Sequence, residues 1–472
     1  MHVEAATIEV QAREAPRLKR VLGLWDLIFY GVVLNQPVAA IGLFGLVSQI
    51  SRGHMVTTLL LGMAAMLLTA VSYGRMAAIY PSAGSAYTFV GRGFNPHLGF
   101  LAGWAMILCY LIIPIINTVF GVLSFQRLFP GTPYIAGVIV FMAFITMLNI
   151  LGVRSSMRAN KIMLYIMLVI VGAFIVLAIR YIAHTLGWEG LIEPRVLYNP
   201  DSFSFSALWS GTALVALTYV GIDGITTLAE DAKNPKQNIR RAIIAVCLIV
   251  GLLSALQMYL AQLSARTMWL EGGLNGTVPF WERIPGQNIE TAFMTVSAQV
   301  GGNILFNAIT ITMVIACMAS GLAGQLGAAR LLYGMGKDNV LPRNFFARLS
   351  PGKNAPVNNL VLIAVLSVFG AMALNYQKVA ELINFAALIA FMGVNLAAVK
   401  QLYFRARPGK RNVLTDLLVP AGGFLFCLWI WLSLPGTPKI IGGIWFLAGI
   451  LYLGISTKGF RKQPVMIDFS DV

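Results

Sequence analysis

Charged residues are scarce in this 472-residue chain: 11% are Asp, Glu, Lys or Arg, while 58% are apolar. Soluble globular domains carry about a quarter charged residues, so an ordinary soluble protein is excluded. Apolar runs of about 20 residues, long enough to cross the hydrocarbon core of a bilayer, recur along the whole sequence. The composition therefore predicts an all-α integral membrane protein with no separate soluble domain.

Cysteine and histidine are also rare, at four residues each. Cys109, Cys247, Cys317 and Cys427 all lie in apolar runs, without a CxxC pair or a neighbouring histidine. Metal and redox motifs are therefore absent, and we expect no metal and no cofactor. Three of the cysteines are interpreted as small apolar residues in helix packing, and Cys109 as a candidate site residue.

A cleavable leader is not expected, because the polar N-terminal 20 residues lack an apolar stretch and a small-residue cleavage site. The net charge of +16 follows a topological pattern. With the N-terminus inside, 26 of the 34 Lys and Arg residues fall in cytoplasmic segments, as the positive-inside rule requires. The sequence thus predicts a multi-pass cell-membrane protein with both termini cytoplasmic. The membrane topology explains the positive net charge, so no nucleic-acid partner is expected.

Twelve membrane helices are predicted, at 22–50, 54–80, 98–128, 133–152, 160–182, 203–230, 239–264, 303–334, 356–374, 379–402, 414–433 and 438–456. They divide the chain into an N-terminal tail (1–21), a first five-helix repeat (22–182), a second, inverted five-helix repeat (203–402), helices 11–12 (414–456) and a C-terminal tail (457–472).

Two predicted helices carry breaks at membrane depth. The first contains Gly31 and then Asn35–Gln36–Pro37, and the sixth contains Gly221, Asp223 and Gly224. Proline and glycine disfavour a continuous helix, and broken backbone at this depth is tolerated only when it is buried in protein or lines a cavity. Breaks in the first and sixth helices indicate an inverted 5+5 repeat with a binding site near the bilayer midplane.

Asp223 is the one acidic residue that lies well inside a predicted helix. A carboxylate at such a depth is costly unless it is paired, hydrated or protonated. A capping role at the second half-helix is one interpretation, and a functional role is favoured over it. The two roles are compatible.

The residues resemble the amino acid–polyamine–organocation transporter superfamily along roughly 20–455. The stretch YPSAGSAYTFVGRGFNPHLGFLAGW is similar to the family's Pro–Gly–Tyr and Gly–Trp signature, and YVGIDGITTLAEDAKNPKQNIRRAI and ASGLAGQLGAARLLYGMGKDNVLP are similar to its helix-six and helix-eight motifs. The putrescine-importer-like branch shares Pro37, Thr227–Glu230, Ala319–Ala323 and Leu382–Phe391. The resemblance implies a LeuT-like fold whose first and sixth helices line the site.

The resemblance also implies the site residues. The predicted substrate-binding residues are Gly31, Leu34, Asn35, Gln36, Pro37, Cys109, Tyr110, Asn117, Leu217, Tyr219, Val220, Gly221, Ile222 and Asn384. Asp223 and Ser320 are predicted to couple transport to a proton. Leu217 occupies the position at which many family members have an aromatic residue that covers the substrate. Either Tyr219 serves as that aromatic lid here, or the site is occluded in another way.

The predicted function is a secondary active permease for an amino acid or amine, with no enzymatic activity. Proton symport is preferred over exchange. A putrescine importer and a channel or sensor on the same fold stay open, as does the oligomeric state. An intramembrane aspartyl protease would need two facing carboxylates and only Asp223 is deep. Helix three offers no acid for a second ammonium group, which favours a singly charged substrate over putrescine.

Overall fold

The computed structural model describes residues 22–81, 85–151, 157–229, 232–268, 279–337, 341–350, 355–405 and 411–464. The predicted N-terminal tail (1–21) and Glu230 lie outside these ranges. Within them the regular structure is helical, and extended backbone pairs only in one isolated bridge between Leu22 and Ala232. The prediction of an all-α chain is therefore confirmed.

The α-helices are α1 (Leu24–Asn35), α2 (Phe44–Ile50), α3 (Met55–Ile79), α4 (Ser85–Gly93), α5 (Pro96–Leu128), α6 (Tyr134–Ile150), α7 (Met157–Leu186), α8 (Phe205–Val215), α9 (Pro235–Met268), α10 (Phe280–Arg283), α11 (Ala292–Lys337), α12 (Arg343–Phe346), α13 (Val357–Ala373), α14 (Tyr376–Val399), α15 (Val419–Leu432) and α16 (Gly436–Ser456).

In the described part of the chain, ten helical segments are long and apolar enough to cross a bilayer, and α6 and α13 are shorter apolar helices. The helix predicted from 303 corresponds to the part of α11 that follows Gly301 and Gly302. These two glycines have non-helical backbone angles and form a kink, which separates that part from a preceding helical stretch that begins at Ala292. Glycine permits that bend, since Gly302 has φ 64°.

The first predicted break is present between α1 and α2. The helix ends at Asn35, Gln36 takes φ 53°, and a 3₁₀ turn over Ala39–Leu43 leads into α2. Pro37 disfavours the α conformation at Gln36. The carbonyl of Pro37 accepts a hydrogen bond from Gln257 Nε2 of α9 at 3.0 Å, which satisfies a backbone group that the break leaves unpaired.

The second predicted break follows α8. Two 3₁₀ segments, Ala216–Tyr219 and Ile222–Leu228, are separated by Val220 and Gly221. Gly221 has φ 120°, a conformation that a residue with a Cβ rarely adopts. The Thr226 and Thr227 hydroxyls donate to the carbonyls of Asp223 and Gly224, both at 2.6 Å. Helix six therefore continues in a tightly wound second half.

The two breaks lie against each other at the centre of the bundle. A Cβ at Gly221 would be 3.4 Å from Asn35 Oδ1, and one at Gly224 would clash with the Leu34 side chain. Around them α5 packs along α11 and α3 along α9. The outer helices expose apolar side chains, such as Ile444 and Leu451 of α16. This arrangement suits a molecule whose outer solvent is lipid.

Candidate functional site

A cavity of about 400 Å³ lies beside the two breaks and is walled by α1, α5, α7, α11, α14 and the second half of helix six. This volume is in the usual range for small-molecule sites. The predicted site residues that line it are Leu34, Asn35, Gln36, Cys109, Tyr110, Asn117, Leu217, Val220, Gly221, Asp223 and Ser320.

Five predicted site residues do not line this cavity: Gly31, Pro37, Tyr219, Ile222 and Asn384. Gly31 packs against Ile225, and Ile222 is fully buried. The Tyr219 hydroxyl donates to the Leu59 carbonyl at 2.8 Å, and Asn384 Nδ2 donates to the Ala213 carbonyl at the same distance. These side chains fix helices to one another, so Tyr219 does not stand over the cavity as a lid.

Asn35 lines the cavity and is held in place by its own helix. Its Nδ2 donates to the Gly31 carbonyl at 2.9 Å, and the residue is only 4% exposed. Its Oδ1 is enclosed by protein next to Gly221 and has no hydrogen-bond partner in the structure. A buried acceptor without a partner is costly, so the first break contains a polar group that gains from a donor if the site rearranges.

Asp223 lies at the start of the second half of helix six and is also 4% exposed. The N-cap of this half-helix is Gly221, and no side chain caps it. The Gly224 N–H donates to the Gly221 carbonyl at 3.0 Å, so the predicted capping role of Asp223 stays a prediction. No described Lys or Arg forms an ion pair with Asp223. Tyr30 and Thr227 line the same cavity.

An aromatic pair lies in the cavity wall. The rings of Phe120 on α5 and Tyr376 on α14 have centroids 5.0 Å apart, and both residues are buried. A Cβ at Gly42 would come within 3 Å of the Phe120 ring and the Tyr376 hydroxyl, so the segment after the first break packs tightly against the pair. Leu34 and Ala323, by contrast, are exposed residues of the wall.

Much of the lining was not predicted from the sequence, including Phe120, Tyr376, Met313, Cys317 and Met167. Cys317 was interpreted as packing alone. Helical spacing carried a usable signal: Met106, Tyr110, Ile113, Asn117 and Phe120 recur every three or four residues on one face of α5, so the predicted Tyr110 and Asn117 marked that face. The described lining contains one carboxylate and no Lys, Arg or His.

Comparison with known proteins agrees with this architecture. The amino acid permease family model matches residues 38–451. The low-affinity putrescine importer PlaP of Escherichia coli K12 is 30% identical over 449 residues, covering 94% of this chain and 95% of the relative. The branched-chain amino acid permease BcaP of Lactococcus lactis is 27% identical over 427 residues, covering 83% and 85%.

Among solved structures, the crystal structure of MhsT in complex with L-phenylalanine superposes with a TM-score of 0.53 at 14% identity, over 90% of this chain and 98% of that one. At this identity the likeness establishes the fold alone, which is LeuT-like. The fold, the ten apolar spans and the family match together place the chain in the membrane as a multi-pass protein. This protein belongs to the amino acid permease family of the amino acid–polyamine–organocation superfamily, and it is a transporter of small molecules, not an enzyme.

Proposed function

We propose that this permease takes up a small solute bearing an amino group across the cell membrane by alternating access, coupled to a proton. The observation that carries the proposal is the cavity between two broken helices, which is lined by buried Phe120 and Tyr376 and by exposed Leu34 and Ala323. We infer that the cavity is closed at the aromatic pair and open on the other side, as one state of an alternating-access cycle requires.

Helices α6 and α13 complete a set of twelve membrane helices in this proposal. Residues 22–182 and 203–402 are the two inverted five-helix repeats, and 414–456 forms helices 11–12. Two facts support this arrangement: the breaks lie in the first and sixth spans, and they meet at the cavity. The positive-inside pattern supports cytoplasmic termini, which makes the aromatic pair the extracellular closure.

The substrate ammonium is received between the breaks, by Asn35 Oδ1 and nearby backbone carbonyls. Asp223 takes the coupling proton, because protonation removes the cost of burying its charge when the cavity occludes. Ser320, on the facing wall formed by α11, contributes a hydroxyl to the same polar region. The oligomeric state does not enter this mechanism.

One experiment distinguishes between two alternative substrates, a polyamine and an amino acid. The likeness to a putrescine importer favours polyamine uptake, and the likeness to amino acid permeases favours an amino acid. Purified protein is reconstituted in liposomes preloaded with unlabelled leucine, putrescine or phenethylamine, and entry of the same labelled compound is measured with and without an inward proton gradient.

We expect counterflow and saturation for one of the three compounds, and accumulation when the gradient is imposed. Counterflow without any response to the gradient would replace symport by exchange. Flux that neither saturates nor shows counterflow would favour a channel. Absence of flux for all three compounds would reject the proposed function.

A further inference from the structure

The two helix breaks bring Asn35 and Gln36 on one side, and Gly221 and Asp223 on the other, to the cavity wall. In the first break the Gln36 N–H donates to the Val32 carbonyl at 3.0 Å, and Pro37 has no N–H. The Ala39 N–H donates to the Gln36 carbonyl at 2.9 Å. Val38 is 1% exposed and does not line the cavity. A substrate carboxylate therefore finds no open backbone donor at this break.

The second break already carries a carboxylate. Asp223 is the second residue of the half-helix Ile222–Leu228 and lines the cavity. A substrate carboxylate held by the N–H groups at the start of that half-helix would therefore lie beside the carboxylate of Asp223. Across the described lining no Lys, Arg or His supplies a positive charge. When Asp223 is ionised it repels a second carboxylate, and when it is protonated the cavity still has no cation to pair with one.

Resting on the proposed function, we infer that the substrate is a singly charged amine that lacks a carboxylate and carries an apolar body. Its ammonium sits beside Asp223, in the part of the cavity that Asn35 and Gly221 also line. The neutral hydroxyls of Tyr110 and Ser320 are the polar groups that remain on the α5 and α11 walls beside Asn117.

The remainder of the wall is suited to an apolar body. Going from the breaks toward the aromatic pair, the lining consists mainly of Ile113, Ile116, Met167, Met313, Cys317 and Ile383. A second ammonium placed there would lose its water without gaining an acceptor of opposite charge. Methionine side chains adapt to varied apolar shapes, and the volume of about 400 Å³ accommodates a ring or a branched chain.

The test uses ligand pairs that differ by one group. Thermal stability of the purified full-length protein is titrated with phenethylamine against phenylalanine, isopentylamine against leucine, and butylamine against putrescine. A ligand at a hundred times its Kd raises the free energy of unfolding by about 2.7 kcal/mol. Even weak ligands therefore give a measurable stabilisation when they are added at high concentration. In each of the first two pairs, we expect the amine to stabilise the protein at a concentration at least tenfold lower than the amino acid does. We expect butylamine to stabilise the protein at a lower concentration than putrescine does.

An amino acid that binds as tightly as its amine, or putrescine binding more tightly than butylamine, would overturn the inference while leaving a permease for amino-group solutes in place. If none of the six compounds binds or shows counterflow, the proposed function fails as well. The two failures are therefore distinguishable, and neither readout depends on a mutant that folds.

A matched pair of variants tests the position of the ammonium. Asn35→Ala removes a polar side chain that lines the cavity, and Asn395→Ala removes a buried asparagine that also has an unpaired Oδ1 but does not line it. We expect Asn35→Ala to weaken phenethylamine binding about tenfold and Asn395→Ala to leave it unchanged. Equal affinities in the two variants would remove Asn35 from the site.

Discussion

Asp223, Glu381 and Asp416 are equally buried, each 4% exposed, yet their surroundings differ. Asp416 pairs with Arg75 at 2.6 Å and also accepts from Asn412 N and Thr415 Oγ1, both at 2.8 Å. Glu381 accepts from Gln377 Nε2 at 2.8 Å, one turn earlier on α14.

Asp223, by contrast, lines the cavity, and no described Lys or Arg forms an ion pair with it. Asp416 and Glu381 do not line the cavity. Burial by itself therefore does not identify a functional carboxylate in this protein. The distinction is made by access to the cavity. Four experiments test this distinction.

The largest effect is expected for Asp223→Asn, which keeps the shape and removes the titratable group. Accumulation driven by a proton gradient should fall at least tenfold, while counterflow persists within a few-fold. Both are measured in liposomes as initial rates of labelled-substrate entry. A mutant that accumulates substrate with the wild-type dependence on pH would show that Asp223 acts as a helix cap alone.

The second effect concerns the Arg75–Asp416 pair, which joins α3 to the segment before α15. Arg75→Met leaves Asp416 buried without its cation, and we expect a loss of about 2 kcal/mol in unfolding free energy. The Arg75 side chain is 22% exposed, which places the loss below that of a fully buried pair. Thermal or denaturant unfolding in detergent measures the loss.

The double variant Arg75→Met/Asp416→Leu should recover part of that stability, because no unpaired charge remains. Substrate affinity of the folded fraction should be unchanged in both variants. A loss of substrate affinity without a loss of stability would show that this ion pair, like Asp223, acts in transport.

A smaller effect is expected for Glu381→Gln, the matched control for Asp223→Asn. The amide oxygen still accepts from Gln377, so stability should change by less than about 1 kcal/mol. The pH dependence of accumulation should be that of the wild type. A shift in that dependence would mean that protons reach the cavity from α14.

The smallest effect on activity is expected for cysteine labelling, which determines the compartment that each end of the bundle faces. All four native cysteines are buried. Lys337→Cys and Glu282→Cys should retain normal flux and should react with an impermeant maleimide from opposite sides of the membrane. Labelling from the same side would contradict the 5+5 arrangement and the proposed direction of access.

Sequence reasoning located the breaks well because their causes are local. Pro37 acts on the residue before it, and Gly221 permits a backbone conformation that other residues avoid. Both breaks are present where the sequence predicted them. The family resemblance placed Tyr219 and Asn384 among the predicted site residues. In the structure both side chains bond to other helices instead.

The residues that were predicted to line the cavity but do not, and the lining residues that were not predicted, have one physical explanation. A residue's direction depends on how its helix is rotated against its neighbours, and that rotation is a property of packing. Tyr219 sits two residues before Gly221, but the tight turn directs its ring between Gly62 and Gly251. Phe120 and Tyr376 are far apart in sequence, and only the approach of α5 to α14 brings their rings together.

The sequence by itself determined that this protein lies in a lipid bilayer and where its two breaks fall, because hydropathy and backbone propensity act over a few residues. The tertiary structure decided which carboxylate has access to the cavity, which asparagines line it and which aromatic rings meet in its wall. Those features depend on contacts between helices that are distant along the chain, and such contacts are set when the bundle packs.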